Sequence, residues 1–205
     1  MRTRPLLFAC LLFVLASSLA SAQGFEIAPF IGYRFGGSVQ DYYGGQTHGI
    51  EASESTGITL DIPLGGGPNY LELLYSHQGT HVDVGSITGT QSYPLGIDFW
   101  MFGGLREFPG QNEKVRPFLA AYVGMAHFSS SQGGIDSENG LALGIGGGVK
   151  LDLSKHVGLR FDARGYLAFV SSSGGMFCGP YGCGASFSGS GLIQGEGTAS
   201  LLLRF

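Results

Sequence analysis

Charge is scarce in this sequence. Asp, Glu, Lys and Arg make up 13% of its 205 residues, about half the share of an average soluble protein. That scarcity, with 43% hydrophobic residues, excludes a solvated disordered chain. Long apolar runs are missing too. Beyond residue 22 nothing approaches the ~18 apolar residues of a membrane helix, and the mean hydropathy is only +0.19. Cysteine occurs three times, never as Cys-x-x-Cys, which gives no redox motif. Without Arg2 and Arg4, nine basic residues face fifteen acids, so no nucleic-acid partner is expected.

Glycine is what the chain has in excess, at 37 residues. It follows no G-X-Y period, which excludes a collagen-like rod. A closed β-barrel reconciles these traits. Its apolar positions alternate with inward ones, so no window looks strongly hydrophobic. Glycine relieves crowding inside a small barrel and permits the bending that closure needs.

The first 22 residues read as a secretory signal peptide. Arg2 and Arg4 precede an apolar core from Leu6 to Leu15, and Ala20-Ser21-Ala22 is an A-x-A cleavage site. The apolar core is too short for a membrane anchor. Residues 23–205 are then the folded domain.

The last fifteen residues, from Gly191 to Phe205, set the pattern for the rest. Ile193, Gly195, Gly197, Ala199, Leu201, Leu203 and Phe205 share one face, and Gln194, Glu196, Thr198, Ser200, Leu202 and Arg204 the other. This is longer than an ordinary soluble strand of about 5–6 residues. It suits a tilted bilayer-crossing strand, which needs about 9–11. Seven more alternating segments precede it: Gly24 to Gly36, Ser55 to Pro63, Asn69 to Gly79, Ser92 to Phe108, Val115 to Phe128, Asn139 to Leu153 and His156 to Val170. The faces of 115–128 are both apolar, so the sequence does not assign them. Connections alternate long (37–53, 80–91, 129–137, 171–190) and short.

The terminal strand ending in Phe205, with apolar residues at alternate positions, resembles the C-terminal signature of bacterial outer-membrane barrels. The even strand count and alternating loop lengths resemble the small OmpA/OmpX-type barrels of Gram-negative bacteria. The resemblance implies an all-β, eight-stranded antiparallel up-and-down transmembrane β-barrel in the outer membrane. It implies Phe205 as the assembly signal, with outer-membrane lipid and the barrel assembly machinery as partners. A monomer is expected, with an extracellular ligand possible only at the loops. A soluble lipocalin-type barrel is the alternative, with the apolar face turned inward.

On the face opposite the apolar one stand Glu26, Arg34, Asp61, Glu72, Asp98, Arg106, Lys150, Asp152, Arg160, Asp162, Arg164, Glu196 and Arg204. Eight strands enclose a space that side chains just fill, and buried charges must be paired. A salt-bridge network filling the lumen is expected, rather than an open pore. A narrow anion path along Arg160 and Arg164 is the alternative, and more broadly a passage for small or hydrophobic solutes as in OmpW-like barrels.

Cys178 and Cys183 enclose Gly-Pro-Tyr-Gly in the fourth long connection. In an oxidising compartment they are expected to form a disulfide. His127, Ser129 and Glu138 faintly resemble the outer-membrane lipid A deacylases, which use His, Ser and Glu on a barrel wall. Small polar residues at a strand end explain them as well, and no enzyme activity is expected. His77 and His81 are too far apart along a strand for one metal. Neither a metal nor a cofactor is expected.

Overall fold

A computed structural model describes residues 24–41, 47–86, 89–110, 112, 114–129, 137–169, 175–179, 182–186 and 191–205. The expected signal peptide, residues 1–22, falls outside them. Strands are numbered in chain order. Eight of them, β1 (Glu26–Phe35), β4 (Ser53–Pro63), β5 (Asn69–Ser86), β6 (Gly89–Glu107), β7 (Val115–Ser129), β8 (Glu138–Asp152), β9 (Val157–Phe169) and β12 (Leu192–Arg204), form a closed barrel. Each pairs antiparallel with its neighbours, and β1 closes the ring by pairing with both β12 and β4. This is the expected up-and-down topology.

The short connections lie at one end, with residues 24 and 205. There Leu64 N donates to Asn69 O across the turn (2.9 Å). Gly65 and Gly66 take positive φ values of 68° and 69°, which other residues adopt only at a cost. Phe205 N donates to Phe25 O (3.1 Å), and the two rings stack at 4.8 Å, which pins the closing seam. Strands pass each other closely where glycine removes a side chain. A Cβ on Gly57 would sit 2.1 Å from Tyr75 O and 2.4 Å from Phe30 Cζ.

At the other end the structure departs from expectation in two places. The segment 80–91, read as a long loop part of which could extend the strands, largely continues the ladder: β5 and β6 pair from Asn69↔Arg106 out to Ser86↔Gly89. Residues 82 to 84 (Val-Asp-Val) and 90 to 93 (Thr-Gln-Ser-Tyr) are compatible with extended backbone, and a hairpin satisfies their polar groups more fully than a loop. The first and fourth long connections also contain strands. β2 (Ser38–Asp41), β3 (Thr47–Gly49), β10 (Gly175–Gly179) and β11 (Gly182–Ser186) form a second sheet in the order β10-β11-β2-β3.

The outside of the barrel is apolar. Ile31, Ile145 and Ile193 are each 70% exposed, and Trp100, Phe102, Leu119 and Leu141 are more than half exposed. The inside holds the charges: Arg34, Glu72, Lys150 and Arg160 are wholly buried. A soluble barrel has the opposite sidedness. β7 resolves as well: Phe118, Ala120, Tyr122, Ala126 and Phe128 face in, while Leu119, Val123 and Met125 face out.

Candidate functional site

The lumen is the densest chemical feature of the molecule. Its charges join into one network running from the short-turn end toward the other. At the base, Arg204 and Arg116 both reach Glu26 and Asp152, and Arg116 also donates to Glu107 (2.7 Å). Lys150 sits above them, with its Nζ 2.6 Å from Glu26, 2.7 Å from Asp61 and 2.9 Å from Glu107. Arg160 comes next and spreads its guanidinium over three carboxylates, Asp61, Glu72 and Asp162, each at 3.0 Å. Arg164 links Asp162 to Glu196, and Arg34 closes the series on Glu196 at 2.9 Å and on the Ser76 hydroxyl.

Alternation in a strand explains how these side chains meet. Arg160, Asp162 and Arg164 follow one another on the inward face of β9, so each cation flanks the same carboxylate. The Arg34↔Glu196 pair is a direct cross-strand neighbour at the β1–β12 seam. Neutral donors satisfy the remaining oxygens: Tyr122 to Glu72 (3.0 Å), Tyr166 to Glu196 (2.7 Å) and Thr198 to Asp162 (3.1 Å). Aromatic faces cover the cations. Arg160 lies 4.5 Å from the Phe118 centroid, Arg34 4.8 Å from Phe99, Lys150 4.8 Å from Tyr70 and Arg164 5.0 Å from Phe30. Such contacts are favourable where water is excluded, and they serve the guanidinium of Arg34, whose Nη1 has no hydrogen-bond partner.

Above the network the filling changes character. Gln78 and Gln194 bond each other and the backbone oxygens of Arg34 and Gly36. Beyond them Leu95, Ile97, Phe128, Ala168 and Leu192 are buried together, with Ile50 on top. A hydrated ion entering from this end meets an apolar plug first and paired charges second.

Eleven of the thirteen charges expected in the lumen are there. Asp98 and Arg106 are not, and this corrects the reading of β6. Leu95, Ile97, Phe99, Met101 and Leu105 face in, and Asp98, Trp100, Phe102 and Arg106 face out. Both faces of β6 are apolar, so its charges do not reveal its sidedness; the inward set is needed to fill the upper lumen. On the outer wall Asp98 and Arg106 mark the two limits of the apolar belt. The eight residue steps of tilted strand from one to the other span roughly 20 Å of height, close to the ~25 Å band of such barrels. In their place the network takes Glu107 and Arg116, which the sequence reading passed over. Glu107 shares the parity of Leu105, and Arg116 opens the strand whose faces were unassigned. The network therefore joins seven carboxylates to six cations.

The remaining candidates lie apart. His127 and Ser129 alternate to the outer face of β7, whereas Glu138 alternates to the inner face of β8, and His127 Nδ1 contacts Asn139 Oδ1 at 2.7 Å. Nucleophile, base and orienting acid are not brought together. His77 Nδ1 contacts Asp98 at 2.8 Å. The disulfide expected between Cys178 and Cys183 falls on side chains outside the described residues, but the backbone makes the two positions direct partners across β10 and β11.

No family model and no curated protein matches this sequence. Among solved structures, the chain is similar to the crystal structure of Neisserial surface protein A (NspA), with a TM-score of 0.59 and 14% identity over 88% of this chain and 97% of that one. It also matches the N-terminal β-barrel domain of Pseudomonas aeruginosa OprF, with a TM-score of 0.47 and 10% identity over 88% and 98%. The first likeness carries the fold. Closed eight-stranded topology, apolar exterior and charged interior are together those of a bacterial outer-membrane β-barrel.

Proposed function

We propose that the chain is a non-enzymatic integral outer-membrane barrel, sealed along its axis, whose role is envelope-structural or surface-binding and is carried by its long connections. The continuous lumen network supports this reading most directly. Seven carboxylates and six cations partner one another, and a selective pore more often lines itself with one sign of charge. Short turns on the periplasmic side and long connections outside follow the usual orientation of such barrels. The surface would then present the sheet of β2, β3, β10 and β11.

That sheet is stapled in this reading. Gly179↔Gly182 closes the β10–β11 hairpin, and Cys178↔Cys183 is the next pair. Directly opposed residues in an antiparallel pair have Cα atoms about 4.5–5.5 Å apart, within the roughly 4.4–6.8 Å that a disulfide accepts. A membrane-impermeant maleimide on intact cells tests location and bond together. No labelling is expected before reduction, and labelling of both cysteines after mild reduction. Labelling that requires lysis would place these residues inside the cell, and labelling without reductant would show free thiols.

A further inference from the structure

The outer wall carries a polar feature that a sealed barrel does not require. Thr56, His77, Asp98, His127 and Asn139 stand side by side on β4 to β8, each the direct cross-strand partner of the next. They form a continuous polar row across the upper part of this wall. At its centre, Asp98 Oδ1 accepts from the Tyr75 hydroxyl (2.9 Å) and lies 2.8 Å from His77 Nδ1. Both contacts fall on the same oxygen. The carboxylate is partly exposed on the outer wall.

Directly below, Ile58, Leu60, Leu73, Tyr75, Trp100 and Phe102 line an apolar groove on the same wall. Tyr75 belongs to both features. Its ring packs on Trp100 at 4.3 Å at the head of the groove, and its hydroxyl holds Asp98. Groove and carboxylate thus form one amphipathic site, apolar along its length and anionic at its end.

Beside the His77 contact, no lysine or arginine among the described residues balances that charge. From residue 24 onward, six of the nine Lys and Arg belong to the lumen network, and Arg106, Lys114 and Lys155 lie at the short-turn end, far from Asp98. A carboxylate at the edge of the hydrocarbon is costly unless a partner meets it. Bilayer lipid is the medium in contact with this wall.

We propose that the groove seats one bilayer lipid whose headgroup carries a primary ammonium, with an acyl chain along Leu73 and Phe102 and the ammonium on Asp98. The proposal rests on the membrane reading given above. An anionic lipid finds no lysine or arginine at this position, and a lipid without a headgroup donor brings the carboxylate no further hydrogen bond.

The test uses residues 23–205 refolded into nanodiscs of phosphatidylethanolamine and phosphatidylglycerol in equal amounts with matched chains, followed by native mass spectrometry of the lipids that stay bound. Retention of the ethanolamine lipid is expected to exceed that of the glycerol lipid roughly tenfold, the scale of one hydrogen bond to a charged group. Asp98→Asn keeps the Tyr75 and His77 contacts and is expected to erase the preference. Leu73→Trp fills the groove and is expected to lower retention of both lipids, with folding of each variant verified by a heat-dependent gel shift. Equal retention by the unaltered protein, or a preference that survives Asp98→Asn, would overturn the proposal. Failure to enter the discs at all would overturn the membrane reading itself.

Discussion

Arg160→Met is expected to destabilise the barrel by about 3–5 kcal/mol, the cost of leaving a buried charge without its partner. Its guanidinium is fully buried and holds Asp61, Glu72 and Asp162 at once. The three carboxylates do not suffer alike. Asp61 keeps Lys150 and Asp162 keeps Arg164, but among the described residues Glu72 retains only the Tyr122 hydroxyl. Most of the loss therefore belongs to Glu72. The double variant Arg160→Met, Glu72→Leu is expected to recover much of it, because a buried pair replaced by apolar side chains of similar volume is often neutral. Arg160→Lys is expected to fall between, since one ammonium cannot reproduce the fork. Urea titration followed by the fluorescence of Trp100, the sole tryptophan, reads all three. If Arg160→Met unfolds at the wild-type midpoint, or if the double variant is no better than the single, the network does not hold the fold.

The second large effect is on the outer wall. Ile145 is 70% exposed and lies halfway along β8 (Glu138–Asp152), near the middle of the belt. Ile145→Arg is expected to cost about 2–4 kcal/mol in lipid vesicles, as for arginine at the midplane of such a barrel. An exposed position on a water-facing barrel would tolerate the same change within about 0.5 kcal/mol. The comparison separates a lipid-facing wall from a water-facing one. A midpoint unchanged from wild type in vesicles would favour a water-facing wall.

The strand count and the sidedness of most strands were legible because one face carries charge and the other does not. β9 is the clearest case: Arg160, Asp162 and Arg164 alternate with Leu159, Phe161 and Ala163, and the structure turns them as the alternation requires. β6 misled for a physical reason. Its lumenal side fills the apolar upper lumen with Ile97 and Phe99, while its lipid side carries Trp100 and Phe102, so both faces satisfy an apolar neighbour and period-two reading has no contrast to use. The charges on β6 mark height rather than direction. β7 was ambiguous on the same ground, which hid Arg116. The need for a counterion could have found it, because Glu26, Glu107 and Asp152 cluster at the base with too few cations of their own. The extension of β5 and β6 beyond the belt was harder to see. Residues 82–86 and 89–92 have little apolar alternation of their own and pair because the strands below them are already in register.

Single-channel recording of refolded residues 23–205 in a planar bilayer decides whether the barrel is sealed, with insertion confirmed by the heat-dependent gel shift. Silence is expected across the range of voltage and salt in which porins conduct, because the apolar plug around Ile97, Phe128 and Leu192 lies in series with the paired charges from Arg34 to Arg204. Steady, voltage-independent steps that change with Arg164→Ala would contradict it and would mean that the lumen carries ions.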